Sequence, residues 1–401
     1  MKVNLKSTLF FFLLIPFFEG YAQRSAKTIS GIGEGITISD RSKDFSTTLF
    51  GWSQVGMHGA YNLNSNNSTA DNLKLNATVQ RLRLGSKGFL FDSKLKYLFQ
   101  VAVAGDEVNT VMSSPKPRFN GLLDAYFEYE VFDGFSIRVG QGFLPVVAEA
   151  NTFARNTGFA DRGKVFYFSG FDRDAGIQAF YQKQFGTVGF KLSGAISQGE
   201  GRNASDYLRG GLNYVGRADL ILKNTTNPNL TNLNSTLTDD QRIDGYYLKV
   251  GGGYSYNDNA SRNNGFSGEY VQVERDIEVL FADLLFKTNG FSMLAEFVSR
   301  YTVIPVVYDT SFYIIANFNT GWAMNIQSAY CFENGMEIIG RFSQINPKQV
   351  NNRPSFNEYT VGFNKYFNSH FVKLQTEVGY NDFENAFTDN LFGRAILLFG
   401  F

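Results

Sequence analysis

The side chains best suited to covalent chemistry are few in this chain. It holds two histidines, His58 and His370, and one cysteine, Cys331. Ser369 precedes His370, and adjacent side chains on a β-strand point to opposite faces, so we expect no nucleophile–base pair there. Neither histidine lies in a Cys/His cluster of the kind that binds zinc. The sequence therefore predicts no enzyme, no cofactor and no resident metal.

Three further patterns suggest other chemistry. Asp239 and Asp240 are adjacent carboxylates that could hold a calcium ion in a loop. A hydrolase that pairs His58 with an acidic residue is a second alternative. The glycines at 31, 33 and 35 lack the Lys-Ser/Thr of a phosphate-binding loop, so we expect a flexible leader there.

Anion binding is suggested by six arginines and one lysine. A guanidinium keeps its charge at any working pH and offers paired donors to an oxyanion. Rings of such groups in a water-filled passage favour anions. Three of these cations lie in strand-like runs, opposite apolar neighbours, and four lie in or just after the segment 146–171. They are Arg81, Arg83 and Arg138 in the first group, and Arg155, Arg162, Lys164 and Arg173 in the second.

Acidic residues on the same polar faces weaken a strong preference for anions. We expect five of them to act as counter-charges, namely Asp124, Glu128, Glu130, Asp283 and Glu296. Arginines and carboxylates inside large barrels commonly pair across strands and hold the wall. Each arginine therefore has two interpretations, a structural pair or a group that selects ions.

Alternating strands must position these charges. Between residues 122 and 131, apolar side chains alternate with acidic and polar ones, which places the two kinds on opposite faces of a sheet. Asp133-Gly134 then predicts a two-residue hairpin turn, and Arg138 returns on the acidic face. Asn289-Gly290 predicts a second hairpin of this kind.

About sixteen such runs follow one another, an even number as single-chain bacterial barrels have. The fold class predicted is all-β, a transmembrane antiparallel β-barrel. The runs begin near residues 47, 73, 93, 121, 134, 174, 187, 207, 243, 278, 290, 320, 335, 357, 370 and 391.

Tight turns alternate with longer polar segments along the chain. Barrels have short turns at one end and long outer loops at the other. The longer segments are expected to be such loops, and the Asn- and Thr-rich one from 224 to 242 is interpreted as solvated. They lie at 62–71, 146–171, 224–242 and 256–277.

Both termini and the composition favour an outer membrane. A basic start, ten apolar residues and Gly20-Tyr21-Ala22 predict a signal peptide over residues 1–22. A terminal aromatic, Phe401, ends the last run. Aromatic residues make up 16% of the chain, and 40 glycines face only 8 prolines. The expected mature chain has 35 basic and 36 acidic residues, a net charge of −1, which does not favour nucleic acid.

Several runs, in order, resemble the phosphate-selective porin O and P family. The resemblance covers most of the mature chain. It implies a sixteen-stranded, trimeric passive channel, with an inward-folded loop that narrows the lumen. The runs are Gln80–Gly85, Leu123–Tyr126, Val139–Gln141 with Leu144-Pro145, Arg173–Gly176, Gly194–Ile196 with Gln198-Gly199, and Gly321-Trp322 with Tyr330.

Together these observations predict a signal peptide (1–22), a leader (23–45) and a barrel (46–401) with a constriction loop near 146–171. The expected function is passive diffusion of small hydrophilic solutes, with a mild preference for anions such as phosphate; the phosphate specificity of the family is not carried over to this chain. The expected partners are solutes or anions, membrane lipid and two further copies of the chain. The alternatives are a barrel with a blocked lumen that serves as an adhesin or structural protein, and a sugar channel lined by Tyr126, Phe180 and Trp322.

Overall fold

The structure, a computed structural model, describes residues 27–31, 33, 35–40, 44–63, 73–104, 121–204, 211–225, 233–348, 350, 353–384 and 389–401. The predicted signal peptide lies outside these residues. The described strands are β1 (Lys27–Gly31), β2 (Gly35–Ser39), β3 (Phe45–Asn62), β4 (Leu73–Leu90), β5 (Leu95–Ala104), β6 (Leu122–Phe132), β7 (Phe135–Phe143), β8 (Arg173–Phe185), β9 (Val188–Ser197), β10 (Asn213–Asn224), β11 (Tyr246–Arg262), β12 (Tyr270–Thr288), β13 (Phe291–Tyr301), β14 (Val306–Tyr308), β15 (Ile314–Asn317), β16 (Gly321–Cys331), β17 (Met336–Pro347), β18 (Phe356–Asn368), β19 (Val372–Phe383) and β20 (Asn390–Gly400).

Sixteen of these strands, β3–β13 and β16–β20, form a closed antiparallel barrel. Each pairs with its neighbour in the chain order, and β20 closes the ring against β3, with Ala395 opposite Met57. The predicted fold class and strand number are confirmed. One helix, α1 (Lys164–Ser169), and 3-10 turns at Ala154–Asn156 and Gly265–Ser267 complete the described elements. No helix of the described residues is long and apolar enough to cross a membrane.

The two faces of the wall have opposite character. On β18, Tyr359, Val361 and Phe363 are exposed on the outer face, whereas Glu358 and Thr360 are buried on the inner face. This arrangement is the reverse of a water-soluble sheet, and it follows from the period-two alternation in the sequence. The outer face therefore suits lipid, and the polar side chains are gathered inside.

The short turns lie at one end of the barrel, which we call the short-turn end. They are residues 91–94, 133–134, 186–187, 289–290, 332–335 and 369–371. Gly134 has φ of 81°, and Asn289 and Gly290 have φ of 47° and 88°. Left-handed residues of this kind are what two-residue hairpins require. Both predicted hairpins are confirmed.

Two expectations about loops and leader are wrong. The segment 256–277 is mostly strand, because β11 continues as far as Arg262 and β12 already begins at Tyr270. Polar side chains pair across this extension, as where the Tyr256 hydroxyl donates to Asp276 at 2.9 Å. The glycines of the leader form the tight connection of the β1–β2 hairpin, and β2 pairs with β3, with Ile36 opposite Leu49.

Two segments enter the lumen. The first inward segment, residues 144–172, joins β7 to β8 at the long-loop end and is largely buried. The second, described over residues 233–245, joins β10 to β11 at the short-turn end, since Asn224 pairs with Tyr246 there. This corrects the expectation of a solvated outer loop over 224–242, because Leu237, Thr238 and Asp239 are buried.

Candidate functional site

The first inward segment carries its own apolar anchor. One buried cluster joins α1 to the barrel wall. It contains Val165, Phe166 and Phe168 of α1, together with wall residues such as Phe281 and Val298. Farther along the lumen wall, Ala154 packs with Phe50 and Trp52 of β3. The segment is therefore held against both the β12–β13 side and the β3 side of the barrel.

Arg81 and Arg83 of β4 face this segment. Arg81 donates to Asp161 at 2.9 Å, to Gln54 at 2.8 Å and to the carbonyl of Ala160 at 3.2 Å. Burial alone would raise the pKa of Asp161, but Arg81 and Arg394 outweigh it and lower that pKa. Arg83 is fully buried with its guanidinium 4.9 Å from the Trp52 ring centre. Arg81 thus joins the wall to the segment, whereas Arg83 packs on a ring of the neighbouring wall strand β3.

Arg138 pairs across the β6–β7 hairpin. Its register partner is Glu128, to which it donates two hydrogen bonds of 2.9 and 2.7 Å. The guanidinium also lies 4.1 Å from the Tyr126 ring and 4.8 Å from the Phe180 ring. It remains partly exposed, with 18% of the side chain accessible.

Arg173 lies where the first inward segment returns to the wall. It donates to Asp124 at 3.0 Å and to Asp172 at 3.1 Å, and its side chain is 0% exposed. The Phe143 ring lies 3.8 Å from its guanidinium carbon. This geometry is that of a buried brace at the base of the segment.

The three cations within the segment differ in exposure. Arg162 is buried and donates to the carbonyl of Thr152 at 2.5 Å. Lys164 is 32% exposed and lies 3.4 Å from Glu358. Arg155 is partly exposed, with its guanidinium 5.0 Å from the Phe371 ring centre. Burial lowers the pKa of Arg155 to about 10, which leaves it charged at neutral pH.

The predicted counter-charges also have partners. Asp283 accepts two hydrogen bonds from Arg217, at 2.6 and 2.9 Å. Glu296 accepts from the backbone of Glu149 at 2.8 Å, and Glu149 accepts from the backbone of Gly163 at 2.9 Å. Glu130 lies 3.8 Å from Lys96. A selective role for the predicted cations stays a prediction, because pairing occupies most of them.

Sequence reasoning missed several of the inner charges. Arg341 bonds Glu358 at 3.0 Å and the carbonyl of Asp161 at 3.1 Å. Lys373 donates to the carbonyl of Thr157 at 2.6 Å. Both lie at inward positions of alternating strands, so the period-two pattern could have identified them.

The second inward segment meets the first inside the barrel. Asn156 donates to the carbonyl of Ser235 at 2.7 Å, and the backbone of Leu237 donates back to Asn156 at 3.2 Å. His370 Nε2 lies 3.3 Å from Asp240, which also accepts from Ser369. The prediction that Ser369 and His370 point to opposite faces of a strand is wrong, because the two residues lie in a turn and both contact the Asp240 carboxylate.

A cavity of about 590 Å³ opens at the short-turn end, beside Leu233 and Asn234 of the second inward segment. We call it the lysine cavity. Its lining includes six cationic side chains and three carboxylates. They are Lys94, Lys96, Arg138, Lys183, Lys191 and Lys223, with Glu128, Glu130 and Asp133.

Metal binding finds no support in the described part of the chain. No group of three or more His, Cys, Asp or Glu side chains there could hold a metal ion. Asp239 accepts from the backbone of Gly290 at 2.7 Å and of Ile243 at 3.2 Å, and so serves the local fold. The Ser369, His370 and Asp240 contacts tie a turn to the second inward segment.

Comparison with known proteins agrees with this architecture. The profile of the family described as phosphate-selective porin O and P matches residues 53–279, more than half of the chain. The fold is similar to the anion-selective porin from Comamonas acidovorans, at 10% identity and a TM-score of 0.54, over 89% of this chain and 100% of that one. It is also similar to the outer membrane channel DcaP of Acinetobacter baumannii, at 12% identity and a TM-score of 0.51, over 90% and 99%.

A third similar structure is OprB of Pseudomonas putida, at 10% identity and a TM-score of 0.52, over 90% of this chain and 95% of that one. At these identities the likeness concerns the fold. No curated protein matches the chain.

Proposed function

We propose that this chain, which belongs to the phosphate-selective porin O and P family and is therefore an outer-membrane porin, passes small hydrophilic solutes by diffusion with a mild preference for anions. Family and fold indicate a channel rather than an enzyme. We further propose that it carries no catalytic activity. Short turns of such barrels face the periplasm, so the lysine cavity would open there.

The observation that carries the anion preference is the charge of the lysine cavity, where six cations face three carboxylates. Lys96, Arg138 and Lys183 lie near carboxylates, whereas Lys191 and Lys223 have no ion pair among the described residues. A cleft lined by an excess of one charge raises the local concentration of the opposite ion. The cavity should therefore enrich anions.

The first inward segment is proposed as the constriction. The support is its contact with the β3 side through Ala154 and with the β12 side through the cluster that includes Phe281. Partly exposed cations on it, Arg155 and Lys164, would then act on passing ions. The family resemblance also leads us to propose a homotrimer.

Charge reversal in the lysine cavity tests the preference. A unit charge about 8 Å from an ion in water contributes roughly 0.5 kcal/mol, about a twofold change in local concentration. We therefore expect Lys191→Glu with Lys223→Glu to lower the chloride-to-potassium permeability ratio several-fold. The measurement is the reversal potential of single channels in planar bilayers under a tenfold KCl gradient.

The matched control is Lys365→Glu, the same change on the outward face of β18 near the same end. It should leave the ratio unaltered. A ratio that does not move in the double variant would contradict the proposal. Folded protein without any conductance would favour the blocked-lumen barrel instead.

A further inference from the structure

We propose that the second inward segment, residues 233–245, is a second constriction, and that it confines solutes to one side of the lumen. This inference rests on the proposed channel function and deepens it. It assigns a role to a part of the chain that joins two wall strands at the short-turn end, where the other described connections are short.

The second inward segment is locked to the first one. Asn156 and the Ser235–Leu237 backbone exchange two hydrogen bonds, of 2.7 and 3.2 Å. The Nδ1 atom of His370 lies 3.1 Å from the carbonyl of Arg155, while its Nε2 atom lies 3.3 Å from Asp240. The two segments thus form one continuous body across the lumen.

The barrel wall also holds the second inward segment, through β12 and through the turn that follows β12. Lys287 of β12 donates to the carbonyl of Leu233 at 2.9 Å and to Thr236 at 2.8 Å. The turn after β12 holds the segment through two backbone N–H groups. That of Gly290 donates to Asp239 at 2.7 Å, and that of Asn289 donates to the carbonyl of Ile243 at 3.1 Å. A segment with this many satisfied polar groups is built into the barrel rather than resting on its rim.

At the short-turn end, the two inward segments together bury one side of the inner wall. Inward side chains of β12 and β13 are buried from solvent, each at most 4% exposed. They include Asp283, Leu285, Lys287 and Leu294. Leu285 and Leu294 pack in one cluster with Leu237 and Ile243 of the segment. Lys373 and Gln375 of β19 are equally buried, and they donate to carbonyls of Thr157 and Gly158 in the first inward segment.

The opposite part of the wall is open at the short-turn end. Arg138, Lys191 and Lys223 are partly exposed, and Gln182 and Lys96 are exposed. These residues line the lysine cavity, which borders Leu233 at the edge of the segment. At the short-turn end, the geometry therefore places the solute path beside β5–β10 and excludes it from β12–β19.

Cysteine accessibility tests this assignment. In a Cys331→Ser background, Lys191→Cys lies in the lysine cavity and Leu294→Cys lies beneath the segment. A negatively charged methanethiosulfonate reagent should label the first at least about tenfold faster and reduce its single-channel current. Labelling is followed by mass spectrometry on folded protein in vesicles, and current is followed in planar bilayers.

Loosening the segment should open the closed side. Leu237→Ser, which removes the buried centre of the cluster, is expected to raise conductance and to make Leu294→Cys reactive. Leu374→Ser, the same change on the exposed outer face of β19 near the short-turn end, is the matched control and should do neither. If Leu237→Ser does not fold, the comparison between the first two cysteines still decides the matter.

Equal labelling of the two cysteines in a conducting channel would overturn the second constriction and leave the porin function intact. A folded protein that never conducts would instead overturn the channel function. Labelling confined to Lys191→Cys would still support a one-sided lumen in that case.

Discussion

At the scale of single residues, the arginines of this barrel serve mainly as braces. Arg173 holds Asp124 and Asp172 with no exposed surface, and Arg81 holds Asp161 against the wall. Where protein fills a lumen, a charge loses its water and needs a partner, since an unpaired buried charge is costly. Selection of ions must then come from cations that keep solvent access.

Arg155 and Arg162 should separate these two roles. Arg155→Gln is expected to lower the chloride-to-potassium permeability ratio with little loss of stability, because Arg155 is a partly exposed residue. Arg162→Gln should instead destabilise the protein by about 1–3 kcal/mol, because it loses a buried bond to Thr152. Reversal potentials and urea unfolding in vesicles measure the two effects.

One result would contradict the structural role of Arg162. A shift in ion preference caused by Arg162→Gln, with stability unaltered, would mean that its guanidinium faces the solute path. Lys164→Gln provides a comparison at another partly exposed position of the same segment.

At the scale of elements, tight turns limit which residues the hairpins accept. Gly134 and Gly186 both have positive φ, of 81° and 56°, in two-residue turns at the same end. An added Cβ at Gly134 would lie 2.2 Å from the carbonyl oxygen of Gln182, whereas nothing lies within 4 Å at Gly186. The two turns therefore share a left-handed backbone conformation but differ in the room that each leaves for a Cβ atom.

Alanine substitutions at these glycines should differ in cost. Gly186→Ala is expected to cost about 1–2 kcal/mol, the usual penalty of a left-handed non-glycine residue. Gly134→Ala should cost more, because the backbone must also move. Urea titration of refolding into vesicles gives both values, and equal costs would show that the β6–β7 turn adapts freely.

At the scale of the whole molecule, the barrel offers an apolar outer face and an interior that the two inward segments occupy in part. Valine, leucine and aromatic side chains are exposed on the wall, as on β18 and β19. The proposed homotrimer would cover part of that face. Analytical ultracentrifugation of folded protein in detergent should give the mass of three chains. A single-chain mass across detergents would contradict the trimer.

Period-two alternation and turn residues determined the barrel, its sixteen strands and its hairpins, because they act between neighbours in the chain. The same pattern identified inward charges such as Arg138 and Glu128. The polar composition of residues 224–242 instead predicts a solvated loop, and that of residues 256–277 predicts another long loop. Tertiary structure decided otherwise, because the lumen offers polar partners from distant strands, such as Lys287 and Asn156, that bury a polar segment. Which cations remain open to solvent was likewise decided by packing of the two inward segments, which no local pattern encodes.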